Sequence, residues 1–501
     1  MNVDVNLAER LADEGRWSDV AGLLEPVIEA SRSAGLWAML AMARLHIGRR
    51  SDAADAMLRA AQLDAEGGRA WLNAAVLLDQ EGRVGETEIA VRESLGLGFE
   101  PPEAHYLLGR ALRGAGQIEE AEMAFRKAVE TRPTFADAHR ELAQLRWMRT
   151  GDLTHALETL ESAIARHPGH PQLRMERTWL LDAGGDSGEA EAEAARALVH
   201  MGPGTQRNLF EAHRANLRKN YQAGAEAALR AIQAGARDGS AFEALAAAQL
   251  GLGDSAALLA TVDLWLGADP LNQLAIAYRA TALRLSGDPH GAAYRDYDRL
   301  VRAFEIDVPE GWPDLDAYLT SLSAALAKMH PFQAHPLGQS ARSGSQTMQS
   351  LVRSTDPAIV AFFNTIDGPI RRYLAGLGSG TDPLRSRNFN AYEIKGCWSV
   401  WLRPGGFHVD HVHPQGWISS ACYVAVPQAA EDSERKEGWI RFGQPPIQPP
   451  GGLPAEHFVQ PKPGRLVLFP AWMWHGTVPF TSDERRLTVA FDVLSGHPQS
   501  G

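Results

Sequence analysis

The sequence predicts a multidomain α + β chain: an N-terminal all-α repeat solenoid, then a β-rich C-terminal region with flanking helices. Three observations predict it. Glycines recur 33 to 35 residues apart, at 15, 48, 82, 116, 151 and 185. Beyond about residue 305 the alanine-rich texture gives way to Pro, Gly, Trp and β-branched residues. From about residue 388, short apolar β-prone runs alternate with Pro and Gly turns.

The repeat register continues through Asn220, Gly253 and Gly287, giving about nine units before residue 305. In the fourth unit Gly109 lies in a first helix and Gly116 at the turn, with Ala121, Phe125 and Ala128 in a second helix and Pro133 after it. Small residues at 109 and 121 let two helices approach closely, Phe125 fills the gap between units, and Pro133 ends the helix because it has no amide donor. The next unit repeats the pattern as Ala143, Gly151, Ala156, Leu160, Ala163 and Pro168. Both units resemble the tetratricopeptide repeat. The others keep the turn glycine and the alanines, as in Gly48, Ala53 and Ala60, and lose the proline.

Apolar residues at 45% and charged residues at 22% place the whole chain among folded proteins. A net charge of −12 with no basic patch argues against nucleic acid and anionic membrane surfaces as partners. Two cysteines, Cys397 and Cys422, are too few for a disulfide framework or a thiolate zinc site. The segment Met1 to Glu14 lacks the basic start and apolar run of a signal peptide, and no apolar stretch approaches the ~18 residues of a spanning helix, so a cytoplasmic location is expected.

The expected division is 1–305 for the repeats, 306–387 for a helical transition segment packed on the catalytic domain, and 388–501 for a β core. The transition holds two helical stretches, Leu315 to Met329 and Pro357 to Leu377, around a polar loop, Ser340 to Gln346. Strands are expected at Cys397 to Leu402, Ile418 to Val426, Trp439 to Phe442, Arg465 to Phe469 and Leu487 to Val493. Short antiparallel strands at this spacing suit a double-sheet jelly roll.

Histidine carries the chemistry. His408, His411 and His413 fall within six positions of one extended stretch, and His475 follows in Phe-Pro-Ala-Trp-Met-Trp-His. Alternate residues of an extended chain share a face, so either His408 with Asp410 or His411 with His413 can present two ligands to one metal, and His475 supplies a third. Trp417, Trp472, Trp474 and Phe491 read as core rather than as a substrate platform.

The stretch from Phe332 to Val493 resembles the Fe(II)- and 2-oxoglutarate-dependent oxygenases, in particular a bacterial group often fused to tetratricopeptide repeats. The resemblance rests on His335-Pro-Leu-Gly-Gln-Ser340, the His-Val-His-Pro run from His411, Trp417-Ile-Ser-Ser-Ala-Cys-Tyr423, and Gly464-Arg-Leu-Val-Leu-Phe-Pro470 leading to His475. It implies a double-stranded β-helix, Fe(II), 2-oxoglutarate as cosubstrate, and O2. It also implies a ligand pair, at His408 and Asp410 or at His411 and His413, completed by His475. The spacing after Phe407 and the group's His-X-His-Pro pattern favour His411 and His413. An Arg or Lys about ten residues past the distal ligand would hold the far carboxylate of 2-oxoglutarate, which designates Arg486 and its neighbour Arg485. Tyr423 is either a carboxylate hydrogen-bond donor or a sheet anchor.

The implied reaction is oxidative decarboxylation of 2-oxoglutarate coupled to hydroxylation of a substrate C–H bond. A concave repeat surface fits an extended peptide or protein better than a metabolite. Two other classes compete: a non-catalytic repeat scaffold with a degenerate β cap, and a three-histidine zinc hydrolase, which would need a general base and no Arg486.

Overall fold

The structure, a computed structural model, describes residues 4–64 and 66–496. Antiparallel helix pairs run from Val5–Asp13 to Gln273–Ser286. In the turn between paired helices, glycines 15, 48, 82, 116, 151, 185, 253 and 287 all adopt positive φ. Each terminates a helix in the left-handed region open to glycine. In the seventh pair this position is Lys219, at φ 59°, and not Asn220. Asn220 instead caps the next helix, its side chain accepting from the Ala223 amide.

The chain divides into two compact units, residues 1–146 with 152–182, and residues 147–151 with 183–501. In the first unit the small-residue logic is visible atom by atom. Phe125, Ala121 and Ala128 are fully buried. A Cβ added at Gly109 would lie 2.6 Å from the Phe125 ring, so only glycine admits that ring at this spacing.

The second unit contains the later repeats and nine strands: β1 (Arg302–Glu305), β2 (Ala341–Gln346), β3 (Tyr392–His408), β4 (Ile418–Ala425), β5 (Ile440–Phe442), β6 (His457–Val459), β7 (Arg465–Pro470), β8 (His475–Thr477) and β9 (Arg486–Ser495). Every pairing is antiparallel, in a six-stranded sheet of order β1-β7-β4-β9-β3-β2 and a three-stranded sheet of order β6-β5-β8.

Two expectations are corrected. Ser340 to Gln346 is not a loop inside a helical transition segment, since its polar residues form edge strand β2, bulged at Ser343. Sheet hydrogen bonding stabilises it where side-chain hydrophobicity gives no signal. The sheet also begins before residue 305, because Arg302–Glu305 pairs with β7 and Glu305 bridges Arg465 at 2.6 Å.

Helices Leu315–Ala327 and Pro357–Leu377 bury Tyr318, Leu322, Phe362, Ile366 and Tyr373 in one core with the sheet residues Leu487, Val489 and Phe491. That accounts for one face of β9. Its alternate residues face a cavity on the other side. Trp417, Trp472, Trp474 and Phe491 are all buried. No helix among the described residues is long and apolar enough to cross a membrane.

The packing around Gly109 predicts a sharp contrast between two Gly→Ala changes. Gly109→Ala should lower the unfolding free energy of the chain by about 1–3 kcal/mol through overpacking. Gly22→Ala, a helical site where an added carbon meets nothing within 4 Å, should raise it by about 0.5–1 kcal/mol. Urea unfolding followed by far-UV circular dichroism measures both.

Candidate metal and cosubstrate site

A cavity of about 490 Å³ lies against the six-stranded sheet, with walls that include Trp398, Val400, His408, Ser420, Phe469 and His475. Strand β9 contributes Arg486, Thr488, Ala490 and Asp492, every second residue, while the residues between them enter the core.

His411, His413 and His475 converge here, each offering one ligand atom, all within 4.8 Å of one another. The backbones of His411 and His475 exchange hydrogen bonds, N to O at 2.9 Å and 3.0 Å, and the His413 amide donates to Ala471 O at 2.9 Å. This draws the two distant segments side by side. Each ring is then oriented through Nδ1. His411 Nδ1 donates to Val409 O at 2.8 Å and His475 Nδ1 to Met473 O at 2.9 Å, and since a carbonyl can only accept, both rings keep an unprotonated Nε2. His413 Nδ1 meets the Asp492 carboxylate at 2.7 Å, and its Nε2 stands 3.2 Å from that of His411. A carboxylate behind an imidazole fixes the ring and strengthens its far nitrogen as a donor to metals.

The alternative pair is engaged elsewhere. Asp410 is buried and held by Arg441 Nε and Nη2, at 2.9 Å and 2.7 Å, and by Gln444 Nε2 at 3.0 Å. His408 lines the cavity, but its Nδ1 is hydrogen-bonded to Ser340 Oγ at 2.9 Å, and its ring centroid is 6.1 Å from that of His411. The structure thus brings together His411, His413 and His475 and leaves Asp410 outside.

Arg486 is buried at the start of β9. Among the described residues its Nε has no hydrogen-bond partner and no carboxylate lies within ion-pairing distance. Its guanidinium sits over the Tyr423 ring, 5.0 Å from the centroid, and burial lowers its pKa. Tyr423 is fully buried beneath it and does not line the cavity. Arg485 points the other way, exposed and over Trp401.

Three contributors escaped the sequence reading. Asp492 supports His413, and its signal was parity: it is the lone acid in an apolar strand, on the same face as Arg486. Arg342 of β2 lines the cavity. The third is the repeat helices themselves. Val412, between two of the histidines, and Trp474, beside the third, share a hydrophobic core with helices Gly239–Leu252 and Gln273–Ser286. Trp474 Nε1 donates to Thr281 Oγ1 at 2.9 Å.

Residues 396–492 match a protein family described as "Putative 2OG-Fe(II) oxygenase", and residues 106–171 and 148–204 match the tetratricopeptide repeat. A comparison with curated proteins gave no match. Among solved structures, a tetratricopeptide repeat protein from Parabacteroides merdae is 16% identical, with a TM-score of 0.37 over 49% of this chain and 97% of its own. YrrB, described as a TPR protein with an unusual peptide-binding site, is 18% identical, with a TM-score of 0.27 over 35% of this chain and 91% of its own. MamA is 19% identical, with a TM-score of 0.28 over 33% of this chain and 91% of its own.

Burial holds His411 down to about 3 and His408 and His475 well below the ordinary histidine range, with neighbouring imidazoles adding to the effect. In the unfolded chain each takes up a proton near pH 6.5, and in the folded metal-free chain it does not. The unfolded state therefore binds more protons below pH 6.5, and stability falls with pH by up to about 1.4 kcal/mol per unit for each such histidine. Urea midpoints of chelator-treated protein should drop steeply from pH 7 to 5, and His408→Gln should show a shallower slope.

Proposed function

We propose that this chain, in which tetratricopeptide repeats precede a domain matching an iron- and 2-oxoglutarate-dependent oxygenase family, is an Fe(II)/2-oxoglutarate-dependent dioxygenase. It hydroxylates a peptide or protein gathered on the concave face of the repeats. The observation that carries this reading is the pairing, in one cavity, of three converging imidazoles with a buried guanidinium that has no counter-ion among the described residues.

His411, His413 and His475 would hold Fe(II) through their Nε2 atoms, with His413 in the place where this superfamily commonly has a carboxylate. Three ligands leave positions open for cosubstrate and O2. Bound there, the metal and 2-oxoglutarate supply the oxidising chemistry, with succinate and CO2 as coproducts. The chain's own residues bind and orient. Arg486 receives the distal carboxylate of 2-oxoglutarate, and the orphaned Nε and its buried charge fit that role. An uncompensated buried cation costs several kcal/mol (about 3–5 when one partner of a buried pair is missing), which an incoming carboxylate offsets. Asp492 keeps His413 oriented, and Trp398, Val400 and Phe469 supply apolar wall.

The zinc-hydrolase alternative has no free carboxylate base in the cavity and no use for Arg486. Among the described residues lining the cavity, Asp492 is the one carboxylate, and His413 engages it. A passive cap gives no reason to retain Arg486, which costs stability without a ligand.

Four measurements test the proposal. In anaerobic Fe(II) titration, His411→Ala, His413→Ala and His475→Ala should each abolish tight binding, while Asp410→Asn should retain it. Arg486→Met should keep iron, weaken 2-oxoglutarate by about 10- to 100-fold, the worth of a charge-assisted hydrogen bond, and raise the urea midpoint of the ligand-free protein. Unchanged 2-oxoglutarate affinity in Arg486→Met would reject the cosubstrate assignment. Absence of succinate formation from iron-loaded wild type would reject the dioxygenase.

A further inference from the structure

The cavity holds a second cation that the reaction as described leaves unused. Arg342, on edge strand β2 beside the bulge at Ser343, is half-buried and lines the same cavity as the histidines. Its Nη1 donates to the backbone carbonyls of Gln339 and Ala341, which fixes the guanidinium in place without neutralising it. Among the described residues no carboxylate lies within ion-pairing distance of it, and burial lowers its pKa. The cavity's one carboxylate, Asp492, is taken by His413. The uncharged polar residues Gln339, Ser340, Gln346 and Gln415 also line the cavity.

Arg486 and Arg342 stand on different strands, β9 and β2, with β3 between them in the sheet. One short dicarboxylate anchored at Arg486 and directed at the histidines leaves the β2 cation for a different group. That group belongs to the molecule being oxidised. A single guanidinium with amide neighbours matches a singly charged planar acceptor, which Arg binds as a fork. A phosphate dianion would want a second cation beside it, and among the described residues Arg486 is the one other Lys or Arg that lines the cavity.

Resting on the dioxygenase reading, we propose that the substrate carries a carboxylate, received by Arg342. An acidic side chain of a peptide or a small carboxylic acid would present the same chemistry. Arg342 acts as a specificity-determining residue.

The test is equilibrium binding and needs no turnover. Fluorescein-labelled nine-residue pools, random but for a central Asp/Glu, Asn/Gln or Lys/Arg, are titrated by anisotropy against the full-length protein with 2-oxoglutarate in excess. The acidic pool should bind wild type about 10- to 100-fold more tightly than the amide pool, the range of a charge-assisted hydrogen bond. The preference should vanish in Arg342→Gln, invert towards the basic pool in Arg342→Glu, and survive in Arg342→Lys. Calorimetric titration of N-acetylaspartate separates the two sources: affinity equal to that of the acidic pool assigns the carboxylate to a small acid, and weaker affinity assigns it to a peptide. Equal binding of the acidic and amide pools by wild type, or an acidic preference that persists in Arg342→Gln, overturns the inference. Absence of succinate formation would remove the dioxygenase reading and leave the binding result standing.

Discussion

Two backbone hydrogen bonds hold the site together. His411 and His475 are 64 positions apart in sequence, and their mutual N–H to O=C exchange turns histidines from two separate segments into neighbours. The arrangement is an antiparallel bridge of a single residue pair, so it fixes distance and direction at once. Everything else at the site follows from that closure. His413 falls on the same side as His411 because it lies two residues on, and Asp492 then finds its Nδ1. Val412 and Trp474, with the opposite orientation, are sent into the helical repeats. Ligand geometry and repeat packing are two sides of one stretch of extended chain.

Much of this was legible in the sequence, for identifiable reasons. The repeat period survived because helix–helix contact demands small residues at fixed places and left-handed turns demand glycine. Helix Pro357–Leu377 was readable to the residue, opened by Asp356 as cap and closed at Gly378. Arg486 directly precedes the apolar Leu-Thr-Val-Ala-Phe run, and of the two arginines it is the one buried at the cavity, while Arg485 is exposed. What stayed illegible was whatever depends on long-range pairing. Strand β2 is built from Ala-Arg-Ser-Gly-Ser-Gln, which has almost no hydrophobic pattern, and its place in the sheet comes from β3 alone. Lys219 was missed because the eye follows glycine, whereas the backbone needs only a residue able to reach φ 59°.

The two possible histidine registers differ in the structure by a feature no motif encodes. Asp410 has the residue type expected of a ligand, yet Arg441 and Gln444 consume its oxygens. A carboxylate held by a bidentate guanidinium is a brace. Here it fastens the histidine loop to β5 and to the segment after it, and the three imidazoles stay clear of it.

The shared core of Val412, Trp474 and helix Gln273–Ser286 also bears on how the solenoid ends. A repeat stack leaves an apolar face on its last unit, and free-standing arrays close it with a terminal repeat whose outer surface is polar. Among the described residues, helix Gln273–Ser286 is followed by a short 3-10 turn and not by such a helix pair. Instead Trp474 covers Tyr278, with ring centroids 5.6 Å apart, and Arg284 reaches across to the carbonyls of Gly443 and Pro454 at 2.7 Å and 2.8 Å. The β domain is the stopper of the solenoid. The last helices of the stack are thereby tied, through Val412 and Trp474, to the histidine loop they support.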